Sequence, residues 1–319
     1  MKKRVIVTGG SGFIGTNIIE FYKSNYEVLN IDIKAPRNKN HNSYWKEIDI
    51  LNKELLVESF IKFKPDYVLH MAARTDLDGK TLEDYSANIE GVENIIEAIN
   101  STPTIKKIIF ASSRLVCEIG YEPKNETDYK PSTIYGESKI IGEKIVRKAN
   151  IKNTEWLIVR PTSLWGPWFD IPYKNFFDII EKQLYFHPSG KKIFKKFGFV
   201  LNCVHILDVL LIDKKLNNKT IYLSDFKELE VKTWANIISN YFHGKKVKQI
   251  PYFVLKIASL CGDLLKVFGF KNPPLTSFRL NNLTTQMHYN TEDVEKVVKE
   301  LPYNLEQGTK ITYEWLKQQ

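Results

Sequence analysis

The sequence predicts an α/β fold: a doubly wound parallel sheet with helices on both faces and a smaller C-terminal lobe. Three observations carry that prediction. The first half of the 319 residues alternates short apolar runs with helical patterns, the rhythm of strand–helix–strand crossovers. The first apolar run, Val5-Ile6-Val7, passes straight into Thr8-Gly9-Gly10-Ser11-Gly12-Phe13-Ile14-Gly15 and then into a helical pattern. An acid, Asp32, closes the second apolar run about 20 residues after the glycines.

The glycines at 9, 12 and 15 each have a physical reason. Gly9 lets the strand exit turn tightly. Gly12 lets the backbone approach a pyrophosphate. Gly15 lets the helix pack on the strand. The helix that follows offers free N–H groups and a positive dipole end to phosphates. This is the sequence of a Rossmann-type dinucleotide site. Asp32 stands where an acid binds the adenosine ribose hydroxyls and repels a 2′-phosphate, so NAD is expected rather than NADP. Lys34 and Arg37 lie close by and weaken that preference.

The remaining elements follow in order. Strand one covers 4–8, helix one 13–24 and strand two 27–31. A third strand is expected at 44–48, with Asp49 at its end, and a helix at 53–64. Strand four, 67–71, runs into Met71-Ala72-Ala73, small residues that let a cofactor lie against the backbone. His70 reads as a packed histidine. A long helix at 82–101 carries Asn88. Strand five, 106–112, ends in Ala111-Ser112-Ser113. A helix at 132–149 carries Tyr135 and Lys139, and strand six covers 155–159. Beyond Trp165 the alternation degrades. Residues 1–165 read as the dinucleotide domain, with 203–225 returning to it as a helix and a strand. Residues 166–202 and 226–319 read as the substrate lobe.

Composition narrows the class. With 43% hydrophobic and 26% charged residues the chain is ordinary for a globular protein. Cys117, Cys203 and Cys261 share no metal-ligand spacing, and no metal site is expected. An odd, unpatterned set fits a reducing cytoplasm. The net charge of +9 is mostly scattered lysine, with no arginine-rich helix and no RNA-binding aromatic motif. A basic surface with an anionic ligand is expected, and no nucleic acid. The longest apolar stretch, 252–270, is broken by Lys256, Asp263 and Lys266, so it is a poor membrane span. It reads as a helix or helix pair packed on the second lobe, in preference to a helix lying on a membrane surface.

Tyr135-Gly136-Glu137-Ser138-Lys139 places a phenol and an ammonium at i and i+4, on one helix face. A nearby cation favours the phenolate and should lower the phenol's pKa. Such a tyrosine can exchange a proton with a sugar or steroid hydroxyl. Ser113, at the carboxyl end of strand five, is where open α/β sheets bind ligands, and could hold the reacting oxygen. Asn88 could brace a helix or a water behind the pair.

Together, Thr8 to Gly15, Met71-Ala72-Ala73, Asn88, Ser112-Ser113, Tyr135 to Lys139 and Arg160-Pro161 resemble the extended short-chain dehydrogenase/reductase family, in particular its nucleotide-sugar epimerase/dehydratase branch. The resemblance implies bound NAD(P), a C-terminal substrate lobe and a homodimer through a four-helix contact. It implies Tyr135 as acid/base, Lys139 as holder of the nicotinamide ribose and Ser113 as holder of the reacting oxygen. Phe13 and Ile14 would meet the pyrophosphate through their backbone, Asp49 and Ile50 would touch adenine, and Pro161 would lie by the nicotinamide amide.

The chain also departs from that pattern. Cys117-Glu118 replaces the common Tyr-Gly, and Ser163 stands where Asn is common. The arginine that clamps a substrate phosphate is absent near Leu201, and Arg279 could substitute for it. Arg114 after Ser113 lacks the Asp-Glu of the 4,6-dehydratases, which argues against dehydration. The substrate set is then Ser113, Arg114, Ser163 and Arg279. The expectation is an NAD-dependent nucleoside-diphosphate-sugar 4-epimerase. The alternatives are a nucleotide-sugar dehydrogenase or 4-ketoreductase, a hydroxysteroid-dehydrogenase-like enzyme and, least favoured, a non-enzymatic sensor.

Overall fold

The computed structural model describes residues 2–170, 173–270, 273 and 275–319. Its first half runs β1 (Arg4–Thr8), α1 (Phe13–Tyr22), β2 (Glu27–Asp32), β3 (Trp45–Glu47), α2 (Lys53–Phe63), β4 (Tyr67–His70), α3 (Ser86–Asn100), β5 (Lys107–Ala111), α4 (Ile134–Lys148) and β6 (Glu155–Pro161). The second half runs β7 (Ser163–Trp165), α5 (Tyr173–Glu181), β8 (Phe186–Ser189), β9 (Phe194–Lys195), β10 (Phe197–Phe199), α6 (Val200–Ile212), β11 (Lys219–Leu223), β12 (Leu229–Glu230), α7 (Val231–His243), β13 (Lys248–Pro251), α8 (Tyr252–Val267), α9 (Ser277–Thr284), α10 (Glu292–Val297) and α11 (Leu305–Leu316).

Seven strands form one parallel sheet in the order β11-β6-β5-β4-β1-β2-β3. Strands covered on both faces must be apolar throughout, and Val5, Ile6, Val7, Val68, Leu69, Ile108 and Ile109 are fully buried. One face packs on α1 and α6 through Ile18, Ile19, Leu207 and Leu210, and the other on the helices α2, α3 and α4 through Leu56, Ile95 and Val146. Strand order reverses between β1 and β4, the switch point where such sheets bind ligands. From the second half of the chain, β11 pairs with β6, and α6 packs beneath the sheet.

A second core gathers around Trp165, Phe177, Phe199 and Trp234, with short strand pairs β10–β7, β12–β9 and β13–β8 at its border. Helix starts follow their caps. Asn52 accepts from the Leu55 N–H, Thr133 from the Gly136 N–H, and Asn304 forms a capping box with Gln307. The helix expected from residue 82 begins at Ser86, after a single 3-10 turn at Glu83–Tyr85. There the Asp84 carboxylate accepts from the Lys80 and Thr81 N–H groups and holds the chain in a turn. The helix expected within 203–225 starts earlier, at Val200.

The 252–270 stretch is helical over Tyr252–Val267 and packs on α9, β8 and β13, but most of its apolar residues lie on the opposite face. Leu255, Ser259 and Gly262 are its buried residues, while Phe253, Ile257, Leu260 and Leu264 face outward.

Candidate active site

The glycine turn is built around β1's exit. Gly9 adopts φ +72° and donates its N–H to the Ile31 carbonyl at 2.8 Å. A Cβ there would fall 2.6 Å from the Ala72 nitrogen, so only glycine lets β1 and the end of β4 approach this closely. Met71 and Ala72 answer from the other side, donating to the Thr8 carbonyl and hydroxyl. At Gly12 a Cβ would meet only the Gly9 carbonyl, at 3.2 Å, so the front of the turn is open. Gly12 caps α1 without a side-chain bond, and Phe13, Ile14 and Gly15 form the helix's first turn, whose N–H groups have no intrahelical acceptor. These features fit a dinucleotide's pyrophosphate.

Asp32 is locked beside that turn. Its carboxylate accepts from the Ser11 N–H at 3.0 Å and the Lys34 N–H at 2.9 Å. Arg37 was expected to weaken the preference for NAD. Instead its guanidinium donates to the Ser11 and Trp168 carbonyls and pairs with Asp170, which occupies its charge. Asp49 is exposed just past β3, and Ile50 is buried against α3 beside Gly91. Ala73 leads away from β4. Pro161 ends β6 in register with Leu223.

Tyr135 and Lys139 lie in the first turns of α4, both buried. The Lys139 ammonium donates to the Ala111 carbonyl at 2.9 Å, at the carboxyl end of β5. Burial pushes its pKa down to about 8, against the pull of Glu143. Burial likewise keeps His70 neutral, its pKa down to about 3, with the Lys139 charge adding to the effect. His70 packs against the Thr8 hydroxyl at 2.7 Å, as a core histidine should.

The phenol behaves differently from expectation. Burial pushes Tyr135 up to about 12, outweighing the Ser113 hydroxyl and the Arg114 charge, which both act to lower it. Lys139 spends its ammonium on the β5 carbonyl and is not among the groups that set the phenol. The pair therefore shares a helix face, as the spacing implied, but burial rather than the lysine sets the direction of the phenol's shift.

Asn88 braces this arrangement from behind. It donates to the Arg74 carbonyl and the Ser138 hydroxyl and accepts from the Arg74 N–H, tying α3 to α4 and to the loop after β4.

Ser113 caps the short turn after β5, accepting from the Leu115 N–H, and its hydroxyl faces Tyr135. Arg114 is buried beside it, facing the hydroxyls of Tyr173 and Tyr289. Tyr173 in turn donates to Ser163 at 2.7 Å. Ser113, Arg114 and Ser163 thus meet, joined by two tyrosines that sequence reasoning passed over. Nη1 of Arg114 has no hydrogen-bond partner among the described residues. A buried guanidinium with a free donor is placed to receive an anionic or hydroxyl-rich ligand. An open cleft of about 560 Å³ adjoins it through Tyr289, walled also by Lys196, Tyr222 and His288. Arg279 is not part of this buried cluster. It sits exposed in the first turn of α9, donating to the Pro273 carbonyl.

A further group also went unread. The Glu143 carboxylate accepts from Ser112 at 2.6 Å, from Tyr129 at 2.9 Å and twice from Arg160 at 2.8 Å. It binds α4 to the ends of β5 and β6. Its signal was present in the sequence, since Glu143 stands four residues beyond Lys139 on the same helix face.

Comparison with known proteins agrees with this geometry. The family model of the NAD dependent epimerase/dehydratase family matches residues 5–188, more than half the chain. The chain is 23% identical to the Escherichia coli O157:H7 N-acetyl-alpha-D-glucosaminyl-diphospho-ditrans,octacis-undecaprenol 4-epimerase, over 99% of this chain and 96% of that protein. It is 28% identical to the Vibrio cholerae UDP-glucose 4-epimerase over 70% of this chain and 71% of that one. The solved Bacillus cereus UDP-glucuronic acid 4-epimerase, in complex with UDP-glucuronic acid and NAD, superposes with TM-score 0.74 at 20% identity, covering 99% of each chain. At that identity the structural likeness is one of fold.

Proposed function

We propose, for a chain that belongs to the NAD dependent epimerase/dehydratase family, an NAD-dependent 4-epimerase of diphosphate-linked hexoses, with nucleoside-diphosphate sugars as the substrate class. One observation carries the reading. Ser113, Tyr135 and Arg114 converge at the carboxyl edge of the sheet, beside a glycine turn and an Asp32 that fit a dinucleotide. The three relatives named above are all 4-epimerases of diphosphate-linked sugars, and all fall within this reading.

In this reading Gly9, Gly12, Phe13, Ile14, Gly15 and Asp32 would hold NAD, with Asp49, Ile50, Met71, Ala72, Ala73, Ala111 and Pro161 along its path. Asn88 supports the site from behind. Bound there, NAD supplies reversible hydride acceptance. Ser113 positions the sugar hydroxyl by a hydrogen bond. Tyr135, as the phenolate that a bound cofactor's positive nicotinamide would favour, takes the proton from that hydroxyl as the 4-ketosugar forms, and returns it when the inverted alcohol is regenerated. Lys139 holds the ribose edge of the cofactor and fixes α4 against β5. Arg114, Ser163 and Tyr173 orient the sugar or its diphosphate, and Arg279 stands as a more distant candidate for the diphosphate. A homodimer through α3 and α4, in a cytoplasmic polysaccharide-assembly setting, completes the reading.

A second carrier is favoured by the outward apolar face of α8: a sugar diphosphate borne on a polyprenol, as in the name of the E. coli relative.

The test is a panel of UDP-sugars given to the purified protein, followed by product chromatography and by the nicotinamide absorbance. We expect a C4-inverted product without net NADH. NADH accumulating in step with product would replace the epimerase by a dehydrogenase.

A further inference from the structure

Helix α8 is built inside out. Its buried stripe is Leu255, Ser259 and Gly262, and only the first of these is a large apolar residue. That stripe serves α9. The Ser259 and Ser277 hydroxyls stand 3.4 Å apart, and the Ser277 N–H donates to the Asp263 carboxylate at 3.1 Å. The backbone around Leu275 approaches so closely that any Cβ at 262 would overlap its carbonyl. The opposite face repeats apolar side chains at 253, 257, 260, 264 and 267, the spacing of one continuous helical stripe. Phe253 is 65% exposed and Val267 81%; Phe268 and Phe270, just beyond the helix, and Phe278 of the adjoining α9 are exposed as well. An exposed apolar patch of this extent marks an interaction surface.

Its surroundings are basic. Between residues 245 and 280 the chain carries six lysines and one arginine against one acid, Asp263, so +6 of the net +9 lies in this stretch. Asp263 is turned inward onto Ser277. The exposed face keeps Lys256 and Lys266 among its apolar residues, and Lys191 reaches over the Tyr252 ring at the helix's start. Among the described residues no helix is long and apolar enough to cross a membrane.

We propose that α8, with the turn after it and the first turn of α9, lies in the surface of an anionic lipid bilayer. The aromatic and aliphatic side chains enter the headgroup–acyl boundary, and the lysines meet anionic headgroups. A second copy of the chain is the poorer occupant. A two-fold contact would set this strongly basic segment against itself. The docking bears on the polyprenol-borne carrier but not on the reaction itself, and its failure would leave the reading of a nucleoside-diphosphate-sugar epimerase untouched.

The experiment is co-sedimentation of the full chain with phosphatidylglycerol/phosphatidylcholine vesicles (equal parts) and with phosphatidylcholine vesicles, at low and high salt. We expect at least about fivefold more protein pelleted with the anionic vesicles, and most of that excess lost at high salt. The double variant Ile257→Glu/Leu264→Glu changes only outward side chains. It should keep the wild-type thermal transition and lose at least about tenfold in vesicle partitioning. Wild-type protein that stays in the supernatant with anionic vesicles overturns the proposal. So does a folded variant that pellets like wild type. A wild-type dimer that the double variant turns into a monomer would overturn it as well, by assigning the face to a second copy.

Discussion

In the proposed reaction Tyr135 is the residue on which the chemistry turns, and its environment sets what a substitution should do. The phenol is buried, faces Ser113 and contributes nothing that the glycine turn needs. Tyr135→Phe should therefore lower turnover by about 10²–10⁴-fold, the usual worth of a positioned acid/base, while NAD affinity changes little. Steady-state rates with equilibrium dialysis of NAD check this, and a variant with near-wild-type turnover would remove the tyrosine from the mechanism. Asp225 offers a second residue-scale test, on stability. Burial raises its carboxyl to about 7, although the Asn202 amide and the Phe199 N–H both hold it down. Its folded pKa thus lies above that of an unfolded aspartate, about 3.9. The stability linked to its proton is fully present below about pH 4 and is lost as pH rises through 7. Asp225→Asn should remove that loss. Melts of the variant minus wild type should grow more favourable to the variant from pH 5 to pH 8, and a flat difference would show that the carboxylate ionises at no cost.

At the scale of elements, α4 matters most, because it carries both Tyr135 and Lys139 and must hold them at the sheet's edge. Its anchor is the Glu143–Arg160 pair, with both side chains almost wholly buried. Removing one partner of such a pair leaves the other charge buried and unpaired. Glu143→Leu should cost about 3–5 kcal/mol of stability, read from denaturant unfolding. A cost under about 1 kcal/mol would mean that the Arg160 guanidinium finds other acceptors; one such contact, to the Glu126 carbonyl, is already made. What lies within one element was legible in the sequence. The glycine turn, the acid ending β2 and the Tyr135–Lys139 spacing are local patterns set by backbone geometry. What joins distant elements was not. The meeting of Arg114 with Tyr173 and Tyr289 spans 59 and 175 residues of chain by their numbers, and no periodicity encodes it. The direction of the Tyr135 shift was misjudged for a related reason. Spacing places Lys139 on the right face, but only the fold reveals that the ammonium turns to the Ala111 carbonyl. Helix α8 shows the same limit from the other side: its apolar period was readable, but which face the lobe would cover was not.

Across the whole molecule, the cofactor turn and the substrate cluster are joined by one short segment after β7. Asn17 of α1 donates to the Pro167 carbonyl at 2.9 Å, and Arg37 donates to Trp168 and pairs with Asp170. A few residues on, Tyr173 donates to Ser163 and faces Arg114. A dinucleotide seated on the glycine turn would then lie beside a region already tied to the second core, and its binding should stabilise the chain as a unit. NAD at about 100 times its Kd should add about 2.7 kcal/mol, roughly a 5 °C rise in Tm for a chain of this size. In the proposed reading one carboxylate decides the identity of the dinucleotide. Asp32 accepts from two backbone N–H groups beside the turn, while the neighbouring Arg37 is already paired with Asp170. Asp32→Asn keeps an acceptor for the Ser11 N–H and removes the charge that opposes a 2′-phosphate. The thermal shift from NAD should shrink in this variant while the shift from NADP holds or grows. Equal shrinkage for both would mean that Asp32 only shapes the turn, and the preference for NAD would have to be sought elsewhere along the β2–β3 edge.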